Sequence, residues 1–131
     1  MVVGIHHVQI SVAPDEFAAS FTFYTDLLGM TVIADPFDAN GHWLAAGEQQ
    51  VHLRREPDID RHKTSAHAAF VVDNLHILRQ RLIAGGFVVI DQPLLTGFDR
   101  FHTFDPSGNR IELMQPVALA SGVTHRASMR F

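Results

Sequence analysis

The 131-residue chain reads twice through one pattern. His67 follows His7 by 60 residues, and Glu112 follows His52 by the same 60. Within each half, the first position precedes the second by 45 residues. The local contexts agree, since GEQQVHLRR around His52 resembles GNRIELMQP around Glu112. Gly29 and Gly86, each a natural helix stop, stand 57 apart, so the match tolerates small loop changes. Such a repeat is longer than the common solenoid units and occurs only twice. It points to two similar modules, about residues 4–55 and 65–116, sharing one core in a single domain over 1–131.

Each half has the order β-α-β-β-β. VVGIHHVQISV reads as a strand, and Pro14 and Asp15 open a helix through EFAASFTFYTDLLG, where Phe17, Phe21, Tyr24 and Leu28 form an apolar stripe. MTVIAD is a strand, DPFDANGH a polar turn, and WLAAG with EQQVHLRR a hairpin around Gly47. EPDIDRHKTS connects the halves. SAHAAFVV is then a strand, and NLHILRQRLIAGG a helix with Leu75, Leu78 and Leu82 on one side. FVVIDQP is a strand and LLTGFD a loop, followed by RFHTF, a tight DPSGN turn and a last strand. Residues after Pro116 lie outside the duplicated unit.

Strand alternation sorts the side chains. Val8, Ile10 and Val12 share the helix-facing side of the first strand, with His6 expected beside them as a structural histidine. His7, Gln9 and Ser11 take the other side. By the same parity His67, His52 and Glu112 all face away from the helices. A curled sheet would turn that face into a cleft, where four such groups would be costly if buried and unpaired. A divalent ion solves the problem, because imidazole nitrogen and carboxylate oxygen suit iron, manganese, nickel, cobalt or zinc. A metal-free histidine network around a buried glutamate is the alternative.

Composition narrows the chemistry. Cysteine is absent, which excludes disulfides, thiolate metal sites and a cysteine nucleophile. The formal net charge of -4 gives no support to nucleic-acid binding. No apolar run approaches a membrane span, and the N-terminus lacks the pattern of a secretory signal. The expected setting is the cytoplasm.

IHHVQI, FTFYTDLLGM, AHAAFVV and FDPSGNRIEL together resemble the vicinal oxygen chelate superfamily, over about residues 4 to 116. That group includes glyoxalase I, extradiol dioxygenases and bleomycin-resistance proteins. The resemblance implies an α+β fold of tandem βαβββ modules forming a curled mixed β-sheet cleft. It implies His7, His67 and Glu112 as metal ligands, with His52 standing where glyoxalase I has a fourth, glutamate ligand. It also implies a small-molecule substrate with vicinal oxygens and a homodimer. LLTGFDRFHTF lacks the serine- and glycine-rich loop of fosfomycin-resistance enzymes, and Gln9 replaces their threonine, so that activity is discounted.

The expected function is a metal-dependent, glyoxalase-like lyase or isomerase. The alternatives are an extradiol-type ring-cleaving dioxygenase and a non-enzymatic drug-binding protein. The catalytic candidates are His52, as a base if it is not a tight ligand, and Glu112, as a carboxylate able to leave the metal and take a proton. An imidazole titrates near ~6.5, which suits that task. His102 is a proton-transfer candidate in the dioxygenase alternative. Arg100 reads first as an exposed strand-end charge and second as a contact for a substrate anion. Tyr24, Phe17, Phe21 and Phe70 read as packing, and Trp43 and Phe101 as packing or cleft wall. His42, His62, His76 and His125 are assigned no role.

Overall fold

A computed structural model describes residues 1–33, 40–58 and 64–117. Parts of the DPFDANGH turn and of the EPDIDRHKTS connection, the end of the MTVIAD strand, the tail from residue 118, His62 and His125 lie outside the described residues. The described residues divide into two compact units, one within 1–66 with 104–109, the other within 67–103 with 110–117.

The first unit carries β1 (His7–Val12), a helical segment, β2 (Thr31–Ile33), β3 (Gly41–Ala46) and β4 (Gln49–Arg55), giving a mixed sheet in the order β1-β4-β3-β2. β1 and β4 are parallel, and the hairpin β3–β4 is antiparallel. Gly47 takes the positive φ of 65° that this hairpin turn requires. Gly41 is needed for another reason, because a Cβ there would collide with the Leu53 carbonyl oxygen.

The helical segment starts as a 3-10 turn at Pro14–Glu16, continues as α1 (Phe17–Thr22) and ends in a π-helical turn over Phe23–Leu27. Leu28 N–H donates to Phe23 O at 3.0 Å, the five-residue step of a π turn. Phe17, Phe23 and Tyr24 are buried, while Phe21 and Leu28 are only half-buried. Of the stripe expected at 17, 21, 24 and 28, Phe17 and Tyr24 are buried, and Ser20 and Phe23 take the places beside them. α1 packs on β4, and Ile10, Val12, Leu44, Val51 and Leu53 join these aromatics in the core.

The turn Asp105–Asn109, although drawn from the second half of the sequence, belongs to the first unit. Asp105 is buried and its carboxylate accepts four hydrogen bonds: Ser107 N–H and Asn109 N–H on Oδ1 (2.9 and 2.8 Å), and Tyr24 O–H and Asn109 Nδ2–H on Oδ2 (2.7 and 2.9 Å). Asn109 Nδ2 also donates to Ser11 O at 3.0 Å, and Ala13 N–H donates to Ser107 Oγ at 2.9 Å. Charge-assisted bonds of this kind offset the cost of burying the carboxylate. Tyr24 thus packs as expected and also anchors the turn.

The second unit carries β5 (Ala68–Val71), α2 (Leu75–Ala84), β6 (Ile90–Asp91), β7 (Phe98–Phe104, its last residue in the first unit) and β8 (Arg110–Pro116), with sheet order β5-β8-β7-β6. β5 and β8 are parallel. The two modules are α+β and repeat the βαβββ order. Asn74 caps α2 by accepting the Ile77 N–H at 3.1 Å, and Leu75, Leu78 and Leu82 form its buried face, as their spacing predicts. Phe101, Ile111, Leu113 and Met114 complete the core. The strand expected over FVVIDQP is reduced to two residues at the sheet edge, and Pro93, with no N–H, suits its end.

Candidate metal centre

Glu112 sits on β8 between Ile111 and Leu113, which are 1% and 0% exposed in the core. Alternation sends Glu112 to the opposite side, yet it too is buried, at 4% exposure. A buried carboxylate must find partners. Three reach the same oxygen, Oε1: His102 Nε2 at 2.8 Å, Arg100 Nη1 at 3.0 Å and His67 Nε2 at 3.2 Å.

The sheet explains how they meet. Arg100 and His102 are two residues apart on β7, so they share a face, while Phe101 and Thr103 point into the core. His67 immediately precedes β5, and Ala69 of that strand pairs with Glu112. Arg100 Nε also donates to Pro93 O at 2.9 Å, which fixes its guanidinium from behind. Burial alone would push the Glu112 carboxyl up; the His102 hydrogen bond and the Arg100 charge outweigh it and hold the group below the usual glutamate value. The carboxylate is thereby ionised at neutral pH.

Arg100 is thus not an exposed strand-end charge. Its side chain is 19% exposed and paired with Glu112. Phe101 is fully buried and belongs to the core. His102 is buried, and its Nδ1 lies 3.0 Å from Arg110 Nη1. Parity within RFHTF could have placed Arg100 and His102 on one face, but their meeting with Glu112 depends on the pairing of β7 with β8.

In the first unit, His7 and His52 gather at Trp43. The His52 ring stacks on the indole with centroids 4.3 Å apart and planes 1° apart, and the His7 ring meets it edge-on at 4.7 Å. His52 lies opposite both Gln9 and Trp43 in the sheet. His6 is exposed, and its Nδ1 is 2.9 Å from His7 Nδ1. The expectation of a packed, helix-facing His6 fails because β1 begins only at His7, so strand alternation does not reach it. His42 is exposed on β3, with its ring near Phe21 and Phe17.

Of the four expected ligands, the structure brings His67 and Glu112 together in the second unit and places His7 and His52 beside one indole in the first. One ligand atom each from His67, His102 and Glu112 lies within 4.8 Å of the others. Two imidazoles and an ionised carboxylate at that spacing are a donor set that fits a borderline divalent cation. Among the described residues no helix is long and apolar enough to cross a membrane.

The family model described as Glyoxalase/Bleomycin resistance protein/Dioxygenase superfamily matches residues 4–113. Among solved structures, a protein described as a glyoxalase family member from Bacillus anthracis shares 33% identity over 89% of this chain and 98% of its own, with a TM-score of 0.78. The genomically encoded fosfomycin resistance protein FosX from Listeria monocytogenes has the same fold (16% identity, 89% and 94% covered, TM-score 0.73). So does a lactoylglutathione lyase from Agrobacterium tumefaciens (18% identity, 86% and 92% covered, TM-score 0.66). No curated protein matches the chain. With the family model spanning most of its length and the duplicated βαβββ order visible in its two units, the chain belongs to the glyoxalase/bleomycin resistance protein/dioxygenase superfamily, the vicinal oxygen chelate group.

Proposed function

We propose that the protein is a metal-dependent vicinal oxygen chelate enzyme, a glyoxalase-like lyase or isomerase acting on a small oxygenated substrate. The observation that carries this reading is the convergence of His67 and an ionised, buried Glu112 at 3.2 Å. These two residues would hold the ion, and His7 and His52 are the candidates to complete its ligand set. When bound, such an ion supplies a Lewis acid that stabilises negative charge on a substrate oxygen.

The chain's own residues supply the rest. Glu112 is kept deprotonated by His102 and Arg100, so it is ready to ligate or to accept a proton from a carbon acid. Arg100 places a guanidinium next to that carboxylate, where it can bind an anionic group of the substrate. His52 is the second candidate base, held by stacking on Trp43. The protein is proposed to act as a cytoplasmic homodimer.

A second reading, a binding protein without catalysis, is favoured by one feature: three protein side chains, His102, Arg100 and His67, converge on Glu112 Oε1. Metal analysis of protein prepared with manganese, iron, cobalt, nickel and zinc available separates the two. The enzyme reading expects about one divalent ion per chain, lost in Glu112→Gln and His67→Ala. Metal-free protein that binds none of these ions would leave the binding reading. With metal present, turnover of a hemithioacetal supports the lyase, whereas oxygen uptake with catechols would redirect the assignment to a dioxygenase.

A further inference from the structure

The His67, His102 and Glu112 atoms are close enough for all three to be read as ligands. The surroundings of His102 argue otherwise. Its Nδ1 lies 3.0 Å from Arg110 Nη1. A guanidinium has only donors, so Nδ1 must be the acceptor and carry no proton. A ring accepting at Nδ1 is neutral and has its hydrogen on Nε2. That nitrogen is 2.8 Å from Glu112 Oε1, an acceptor, so both ends of the ring are satisfied by one tautomer.

A metal on His102 Nε2 would need the lone pair that this hydrogen occupies. Moving the proton to Nδ1 would set an N–H against the N–H of Arg110 in a buried position, where an unmatched donor is costly. His67 Nε2 lies at the longer distance of 3.2 Å from the same Glu112 oxygen.

We propose that His102 is a positioning residue and not a metal ligand: Arg110 locks it as the Nε2–H tautomer, and that N–H aims Glu112 at the ion shared with His67. The proposal rests on the metalloenzyme reading for the ion, but the Arg110–His102 lock can be measured without one. The ordering runs in one line from Arg110 at the start of β8, across to His102 on β7, and back to Glu112 two residues further along β8. Hydrogen-bond partners of ligand residues typically alter metal affinity by about 10–100-fold when removed.

The test uses the full chain with nitrogen-15-labelled histidine and long-range nitrogen–proton correlation spectra. In metal-free protein His102 is expected as the neutral Nε2–H form. On saturation with zinc it keeps that form while a His67 ring nitrogen becomes metal-bound. Observation of the Nδ1–H form in metal-free protein, or loss of the Nε2 proton when zinc binds, overturns the proposal. Arg110→Met is expected to mix the two tautomers and weaken zinc binding about 10–100-fold, and Arg110→Lys to restore both. His102→Gln, which keeps an N–H donor, should leave the cobalt(II) absorption bands in place; a change of their position and intensity would mark His102 as a ligand. If none of manganese, iron, cobalt, nickel or zinc binds, the metalloenzyme reading fails, and the metal-free tautomer alone upholds or overturns the lock.

Discussion

In the first unit Gln9 lies opposite His52 across the parallel β1–β4 pair, and in the second Ala69 lies opposite Glu112 across β5–β8. Both pairs are related by the same 60-residue step, so the duplicated backbone keeps its register. The chemistry at the matched positions differs. His52 rests flat on Trp43, a ring-on-ring contact. Glu112 is a buried carboxylate and gathers Arg100, His102 and His67 on one oxygen. The hairpin neighbour changes in step: Trp43 precedes His52 by nine residues, and His102 precedes Glu112 by ten. One register thus supports an aromatic stack in one unit and a polar network in the other. The residue at the β4 or β8 position decides which partners its sheet must supply.

The contrast is broken most directly by Glu112→Ala. It leaves Arg100 and His102 facing an empty site, and the expected loss is about 3 kcal/mol in urea unfolding, at the low end for a broken buried pair because Arg100 keeps some solvent contact. His52→Ala, at the matched position, should lose no more than about 1.5 kcal/mol, the size of an aromatic contact. Equal losses would show that the two networks are energetically alike.

Tyr24→Phe probes the borrowed turn of the first unit. Removing the 2.7 Å bond to Asp105 should cost about 2 kcal/mol, the range for a hydrogen bond to a charged group. Proteolysis at Asp105–Asn109 should rise with it.

A smaller effect follows from pH in metal-free protein. The Glu112 carboxyl is held below its ordinary value by His102 and Arg100 against the opposing effect of burial. Its contribution to stability is complete above the unfolded glutamate value of about 4.3. It is lost as pH falls through the lower folded value, where the folded state must also take up the proton. Glu112→Gln should flatten this part of the stability–pH curve, and His52→Gln should leave it in place.

The smallest signal is optical. Trp43 is the sole tryptophan, and both His7 and His52 touch it. If those histidines complete the ligand set, cobalt(II) quenches its fluorescence in wild-type protein and not in His67→Ala. Cobalt bound with unchanged emission would confine the ion to the second unit.

Much of this was legible beforehand. The 60-residue echo carried the module order, and Leu75, Leu78 and Leu82 turned inward at their helical spacing. Parity placed Val51 and Leu53, and Ile111 and Leu113, in the core. The misreadings are local. The buried face of the first helix runs through Phe17, Ser20, Phe23 and Tyr24 and leaves Phe21 half-buried, so the expected stripe was centred to one side of the true one. Arg100 looked exposed because its role depends on a partner twelve residues away on the next strand.

The amino-acid order alone determined the duplication, the alternation of faces and the residue types available to a metal, since these are periodic or compositional properties. Tertiary structure decided which of those residues meet. Strand pairing set three donors on one Glu112 oxygen, and Arg110 chose the His102 tautomer. Hydrogen-bond direction and side-chain partners arise between strands, so no spacing along a single strand encodes them.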